Sequence, residues 1–213
     1  MKEYILTKID YLGLNFKKIN YTFKVENSSI TPKFDKIIIH HTGNPRTIQK
    51  IIDLHVNKNH WTSIGYHFLI GKNGQIYYSR ELSNPGAHTY GFNKEAIGIG
   101  FFGNFSKVEP TEKQIESGKK LILALKENFK IKQILGHNQA IYSLLQKEFV
   151  NAKLPKLNLL EINNDFKYYE KIKEIEKSVK SVYSDKESDN LLKRLKSCPG
   201  VNMYKYLKEF QEL

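Results

Sequence analysis

The sequence lacks the features that a disulfide-stabilised or membrane-spanning protein needs. Among its 213 residues there is one cysteine, Cys198, so no internal disulfide can form and a small secreted disulfide scaffold is excluded. No apolar run approaches the roughly 20 residues that a transmembrane helix requires. Charged side chains recur at short intervals over residues 1–20 and leave no apolar stretch for a secretory signal peptide. We therefore expect a protein synthesised in the cytoplasm without a signal peptide, which something else must release if it acts outside.

Acidic residues are also scarce relative to basic ones. The chain has 34 Lys and Arg against 22 Asp and Glu, a formal net charge of +12. This excess favours an anionic partner, such as nucleic acid, an anionic membrane surface or an acidic cell-wall polymer. The alternative is that scattered lysines simply keep the protein soluble. Aromatic and basic residues are not clustered in a nucleic-acid-binding pattern, so we expect no nucleic-acid partner.

A short strand that ends in two histidines is central to the sequence. Ile37, Ile38 and Ile39 form a β-branched run that is typical of a strand buried on both faces. His40 and His41 follow where such a strand opens into a loop, the usual position of a site in an α/β sheet. Because successive strand residues point to opposite faces, one histidine is a candidate ligand or base and the other is structural.

Strand and helix patterns around this segment predict an α/β fold, with a mixed central β-sheet flanked by helices. Asn73-Gly74 is a favoured hairpin turn, and Thr111 with Gln114 forms a capping box that opens a helix. The length allows one sizeable domain, which we expect to be monomeric. The predicted strands cover residues 65–70, 75–79, 96–102 and 131–135, and the predicted helices cover 48–56, 111–128 and 203–213.

Two segments lie outside this main pattern. Residues 1–34 form an arm that ends in the alternating apolar residues Ile19, Tyr21, Phe23 and Val25, which predict a half-buried strand at the edge of the sheet. Residues 139–197 contain no glycine, and their helical periodicity predicts an apolar stripe of residues three and four apart, Phe166, Tyr169, Ile172, Ile175, Val179 and Val182. They predict a helical insertion that is either a structural lobe or a lid or wall-contacting surface. The main domain then comprises 35–138 and 198–213.

Three side chains with metal affinity occur in similar settings. His40 and His137 lie at strand ends, and Cys198 lies in an extended Cys-Pro-Gly turn. Two imidazoles and one thiolate are a ligand set of catalytic zinc, with the fourth position left for water. A structural zinc would need a fourth protein ligand; the chain has no second cysteine to provide it, although another histidine could.

A lysine precedes the cysteine by two positions. Pro199 favours an extended Cys198, and residues two apart in an extended segment share a face, so Lys196 should lie on the side of the sulfur. An ammonium there could stabilise an oxyanion or protonate a leaving group. The alternative is that Lys196 is one more solvated lysine.

Six short motifs follow one another along the chain: His40-His41-Thr42, Gly65-Tyr66-His67-Phe68, Gly86-Ala87-His88, Ile97-Gly98-Ile99, Gly136-His137 and Cys198-Pro199-Gly200. They occur in the order found in the zinc N-acetylmuramoyl-L-alanine amidases, a family that includes the peptidoglycan recognition proteins and the phage amidases called lysozymes. The chain resembles that family over residues 35–138 and 196–213, and most closely its phage endolysin members.

The resemblance implies a role for each matched position. It implies that His40, His137 and Cys198 hold Zn²⁺ and that 35–138 with 198–213 is the catalytic domain. Tyr66 would act at the scissile carbonyl, and Lys196 would correspond to the lysine of the phage enzymes. The residues that would line the groove for a muramyl peptide are His88, Asn93 and Thr42.

Two departures from the family pattern stand out. Cys198 follows His137 by 61 positions, where the family usually has a handful. Gly100 stands where the cytoplasmic recycling amidases carry a glutamate, which favours the type that uses tyrosine and lysine.

The resemblance implies hydrolysis of the amide between N-acetylmuramic acid and L-alanine in peptidoglycan by zinc-activated water, since zinc lowers the pKa of its bound water to about 7. A phage or prophage endolysin that acts on the cell wall after release is favoured. The alternatives are a cytoplasmic muropeptide-recycling amidase, a delivered toxin, or a module that binds peptidoglycan without cutting it.

Overall fold

A computed structural model describes residues 4–11, 13–21, 31–44, 47–158 and 165–213. In these segments, one seven-stranded sheet organises the fold. Its strands are β1 (Tyr4–Tyr11), β2 (Leu14–Tyr21), β3 (Lys36–His41), β4 (Phe68–Ile70), β5 (Ile76–Tyr78), β6 (Ala96–Phe101) and β7 (Gln133–Gly136).

Six helices within the described segments surround the sheet. They are α1 (Ile48–Ile52, continued by π-helical turns over Asp53–Lys58), α2 (Glu112–Asn128), α3 (His137–Glu148), α4 (Asp165–Lys180), α5 (Asp185–Leu192) and α6 (Tyr204–Glu212, preceded by a 3₁₀ turn over Val201–Met203). Within the described residues, no helix combines the length and apolar character needed to cross a membrane.

The sheet is mixed, and β3 lies inside it. The strand order is β1-β2-β5-β4-β6-β3-β7, with β3 parallel to both β6 and β7. Strands β4 and β5 are antiparallel, as are β1 and β2. The predicted fold class, a mixed sheet flanked by helices, is confirmed. Because β3 and β7 are parallel, their carboxyl ends bring His40 and His137 to the same edge.

Helices cover both faces of β3. Ile37 and Ile39 are fully buried in the larger core cluster, which also contains α2 and α6 side chains such as Leu121 and Phe210. Ile38 points the other way, into a smaller cluster with Ala140 of α3. An isoleucine run with no solvent-facing residue is therefore what this position requires.

The amino-terminal arm adds a hairpin to the edge of the sheet. β2 pairs with β1 and, in parallel, with β5 through Lys17 and Lys18. Strand β2 overlaps the predicted strand only at residues 19–21, and it lies between β1 and β5, so β1 forms the edge of the sheet instead. Of the apolar residues in the predicted strand, Phe23 and Val25 lie outside the described residues. Strand β1 had no counterpart in the prediction.

Residues 139–197 contain helices, but their buried stripe is shifted from the predicted one. In α4 the buried residues are Tyr168, Ile172, Ile175 and Val179, spaced three and four apart. Tyr169, which we had placed on that stripe, is 55% exposed. The division into arm, catalytic domain and insertion stays a prediction, and its boundary at 138/139 falls within α3.

Candidate metal centre and cleft

Three chain segments converge beyond the carboxyl edge of the sheet. His40 ends β3, His137 begins α3 directly after β7, and Cys198 lies in the turn that follows α5. One ligand atom from each lies within 4.8 Å of the others, and the Cys198 Sγ is 3.6 Å from His40 Nδ1. The helical segment between His137 and Cys198 thus returns the chain to the site despite its length.

The donor set fits a zinc ion. Nδ1 of His137 is the only buried side-chain nitrogen or oxygen in the described part of the chain without a hydrogen-bond partner. A buried nitrogen without a partner is costly unless a ligand completes it. His40 turns Nε2 towards His88 Nδ1, at 3.1 Å, and towards Thr89 Oγ1, at 3.2 Å, while its Nδ1 faces the sulfur. Two imidazole nitrogens and a thiol around one point match a catalytic zinc with an open position.

Burial controls the protonation of these groups. It lowers the pKa of His137 to about 3 and that of His40 well below its ordinary value, so both rings are neutral and able to bind a metal. Burial also raises the pKa of the Cys198 thiol to about 12, although the His41 amide and the Lys196 charge oppose it. A cation among these groups would favour the thiolate, and metal binding would release its proton.

His41 is the structural member of the histidine pair. Its Nδ1 accepts a hydrogen bond from the Phe105 backbone N–H at 3.2 Å, and its ring also donates a hydrogen bond to the Pro199 backbone. Its own backbone N–H donates to Cys198 Sγ at 3.4 Å. His41 therefore holds the cysteine turn in place, while His40 presents a ring to the metal position.

The cysteine segment is anchored from three directions. The backbone N–H of Asn138 donates to the Cys198 carbonyl at 3.0 Å, and Ser197 Oγ lies 3.1 Å from Ser106 Oγ. From α4, the Tyr168 hydroxyl donates to the Lys196 carbonyl at 2.5 Å. A helix of the predicted insertion thereby fixes the backbone beside the third ligand.

Both proposed catalytic side chains line one cleft of about 490 Å³ that also contains the three ligands. The Tyr66 ring centroid is 5.1 Å from that of His40. A side chain at Gly100 would place its Cβ 3.1 Å from the Tyr66 ring and 2.8 Å from Leu69, so this glycine leaves room for the tyrosine. Lys196 is exposed at the cleft wall.

His88 lines the cleft, but its ring is also tightly enclosed. A Cβ on Gly98 or on Gly86 would lie 2.5 Å or 2.4 Å from the ring, so only glycine fits at either position. Its Nε2 faces the Ala96 carbonyl at 3.2 Å, which makes Nδ1 the acceptor for His40. The motifs around these two glycines therefore serve to place His88 against a metal ligand.

Of the other two predicted groove residues, Thr42 lines the cleft and Asn93 lines the cavity beside it. Asn93 Oδ1 accepts from the amides of His88 and Thr89, each at 2.9 Å, and so organises the loop. Thr42 Oγ1 accepts from the Gly103 amide at 3.3 Å. Their roles in binding substrate stay predictions.

Several cleft residues had no counterpart in the sequence prediction. Tyr169 of α4 lines the cleft, and Trp61 and Arg194 line an adjoining cavity of about 390 Å³. Arg194 lies over the Tyr90 ring, 4.3 Å from its centroid. No sequence pattern links these two residues, because they are 104 positions apart.

Comparison with known proteins gives one family. A family model described as N-acetylmuramoyl-L-alanine amidase matches residues 31–148, a range that includes His40 and His137 and ends before Cys198. Peptidoglycan-recognition protein 2 of Holotrichia diomphalia is 35% identical over 127 residues, covering 55% of this chain and 64% of that protein. The chain thus spans less than two thirds of that relative.

Two further similarities cover more of the other protein. The peptidoglycan recognition protein of Trichoplusia ni is 30% identical over 153 residues, which are 64% of this chain and 78% of that protein. The solved structure of the endolysin N-acetylmuramoyl-L-alanine amidase LysCS from Clostridium intestinale superimposes with a TM-score of 0.52 and 34% identity, covering 57% of this chain and 80% of that one.

Proposed function

Because this chain belongs to the N-acetylmuramoyl-L-alanine amidase family, we propose that it is a zinc-dependent peptidoglycan hydrolase. It cleaves the amide between N-acetylmuramic acid and L-alanine. The observation that carries the proposal is the convergence of His40, His137 and Cys198, with a buried Nδ1 of His137 that has no protein partner. These three residues would hold the ion. Zinc supplies a Lewis acid and a water that is acidic enough to attack near neutral pH.

The protein's own groups supply the remaining functions. Tyr66 and Lys196 share the cleft with the ligands, so a phenol and an ammonium can donate to the developing oxyanion or to the departing amine. His88 accepts a hydrogen bond from His40 Nε2, which leaves Nδ1 of His40 available for the metal. The backbone around Cys198 is held by Asn138 and Tyr168 and keeps the third ligand in place.

The test is zinc content together with wall lysis, measured for the parent and for Cys198→Ser. The parent should bind one zinc per chain and release L-alanine amino groups from peptidoglycan. The variant should lose most of both, because a hydroxyl is a poor replacement for a thiolate. His60→Asn, an exposed histidine outside the cleft, is the matched control and should retain both. Full metal content and activity in Cys198→Ser would refute the site.

A second candidate is recognition of peptidoglycan without cleavage, which the names of the relatives from Holotrichia diomphalia and Trichoplusia ni favour. Removal of zinc distinguishes the two. A hydrolase should lose lysis on treatment with a chelator and regain it with added zinc. A recognition module should bind sacculi equally in both states and never cut them.

Within the hydrolase proposal, we favour an endolysin that is made in the cytoplasm and reaches the wall after release. The similarity to an endolysin amidase supports this, as does the net charge of +12, which suits an anionic wall. The comparison to make is turnover of intact sacculi against small muropeptides. A strong preference for free muropeptides would point to a recycling amidase instead.

A further inference from the structure

A second cavity extends the metal cleft along the surface. Its walls include His88, His137 and Lys196, which also line the cleft around the metal ligands. The two cavities, of about 390 and 490 Å³, therefore form one groove that passes the proposed reaction centre. A substrate longer than the scissile amide would occupy both parts.

One wall of this groove presents an oriented guanidinium. Arg194 follows α5, and its guanidinium carbon lies 4.3 Å from the centroid of the Tyr90 ring. Its Nε and Nη2 both donate to Asn190 Oδ1, at 3.4 and 3.2 Å. Stacking and hydrogen bonding together restrict the plane of the group, which reduces the ordering cost of binding an anion.

The positive charge on this wall is not balanced within the groove. Over the described ranges, the residues that line the two cavities include no aspartate or glutamate. Arg194 has no carboxylate within ion-pair distance among the described residues, unlike its neighbour Lys193, which pairs with Asp189. Lys196 adds a second cation to the same wall.

The geometry points to Arg194 as a binding site for a carboxylate on the peptide part of the substrate, an inference that rests on the proposed function. In a muramyl peptide the lactyl carboxyl is consumed in the scissile amide and the sugar is neutral, so the free carboxylates belong to the peptide. A planar guanidinium binds a carboxylate through two parallel hydrogen bonds. Arg194 lies outside the family match at 31–148, so this contact belongs to the helical segment of this chain.

The experiment uses the zinc-loaded full chain and two muramyl peptides that differ only in whether the second residue carries a free carboxylate or its amide. The parent should cleave the free acid with a kcat/KM about ten- to a hundredfold higher, the usual effect of one charged hydrogen-bonded contact. Arg194→Gln should reduce this preference to within twofold, chiefly by lowering kcat/KM for the free acid. Lys193→Gln, which removes the same charge one residue away, should keep the preference.

Binding separates this inference from the proposed hydrolysis. Trp61, the single tryptophan of the chain, lines the groove and reports ligand binding by its fluorescence. If neither peptide is cleaved but the free acid binds more tightly in an Arg194-dependent way, hydrolysis fails and the carboxylate site stands. If both peptides are cleaved and bound equally by the parent, or if Arg194→Gln keeps the preference, the carboxylate site is wrong.

Discussion

At the scale of single residues, the site depends on side chains that hold the ligands as much as on the ligands. His40 can present Nδ1 to a metal because its Nε2 has acceptors in His88 and Thr89. The His88 ring in turn fits only because Gly86 and Gly98 lack a side chain. Such partners of metal-binding histidines commonly change metal affinity by ten- to a hundredfold when they are removed.

Gly98→Ala should therefore weaken zinc binding by about tenfold, since its Cβ would displace the His88 ring and remove the acceptor for His40. Competition with a chromophoric chelator measures the affinity, and a thermal melt shows whether the variant folds. Gly71→Ala, in the turn between β4 and β5, is the control and should bind zinc as the parent does. Unchanged affinity in a folded Gly98→Ala would contradict the role of His88.

At the scale of elements, α4 holds the backbone beside the third candidate ligand through one hydroxyl. Tyr168 is fully buried, and its hydroxyl donates to the Lys196 carbonyl. This contact connects α4 to the extended backbone that carries Lys196 and leads to Cys198. Helix α4 therefore helps to position a proposed catalytic group, although it contains none of the candidate metal ligands.

Tyr168→Phe should lower kcat several-fold and leave zinc content unchanged, because the backbone at Lys196 loses its anchor while the three ligands remain. Tyr183→Phe removes a hydroxyl elsewhere in the same segment and should keep the parental kcat. A loss of zinc in Tyr168→Phe would mean that the contact supports the metal ligands themselves, and an unchanged kcat would remove its link to Lys196.

Helix α2 begins with the predicted capping box. Thr111 Oγ1 accepts a hydrogen bond from the backbone N–H of Gln114 at 3.2 Å. In return, Gln114 Oε1 accepts one from the backbone N–H of Thr111 at 3.1 Å. Thr111→Ala should lower the free energy of unfolding by about 1–2 kcal/mol, because it leaves a helix N–H without a partner. Thr111→Ser, which keeps the hydroxyl, should cost less than half as much in urea unfolding. Equal losses in both variants would show that the methyl group matters instead.

Sequence patterns located the elements that carry one dominant signal. The isoleucine run of β3, the capping box of α2 and the histidine at the end of β7 were each predicted from local residues. The groove wall was not, because Arg194 meets Tyr90 only through the tertiary fold. The ring of His88 was predicted at the groove, whereas its contact with His40 depends on the close approach of two glycine backbones. Strand β1 was not predicted, because a threonine and a lysine interrupt the alternation of apolar and polar residues in its sequence.

At the scale of the whole molecule, stability should depend on pH through buried neutral histidines. Burial lowers the pKa of His67 and His88 to about 3, and that of His137 likewise. Below about pH 6.5 these histidines bind protons in the unfolded chain but not in the folded one. Their contribution to the free energy of unfolding is therefore fully present above that pH and is lost as pH falls towards 3.

The metal-free protein should therefore lose at least about 1 kcal/mol of unfolding free energy between pH 7.5 and pH 5.5, measured in urea. His67 is the clearest contributor, since its Nδ1 accepts from the Gly98 amide and it lies apart from the metal ligands. His67→Asn, which keeps an acceptor but does not titrate, should show a shallower dependence. Equal stability of the parent at the two pH values would contradict this account.

The order of the three candidate ligands along the chain also matters during synthesis. A growing polypeptide contains His40 and His137 well before Cys198 is added, and the whole helical segment must be translated in between. No nascent or prematurely terminated chain that stops short of Cys198 can complete the candidate ligand set. The candidate site therefore forms only in molecules whose last third has been made and folded back onto the sheet.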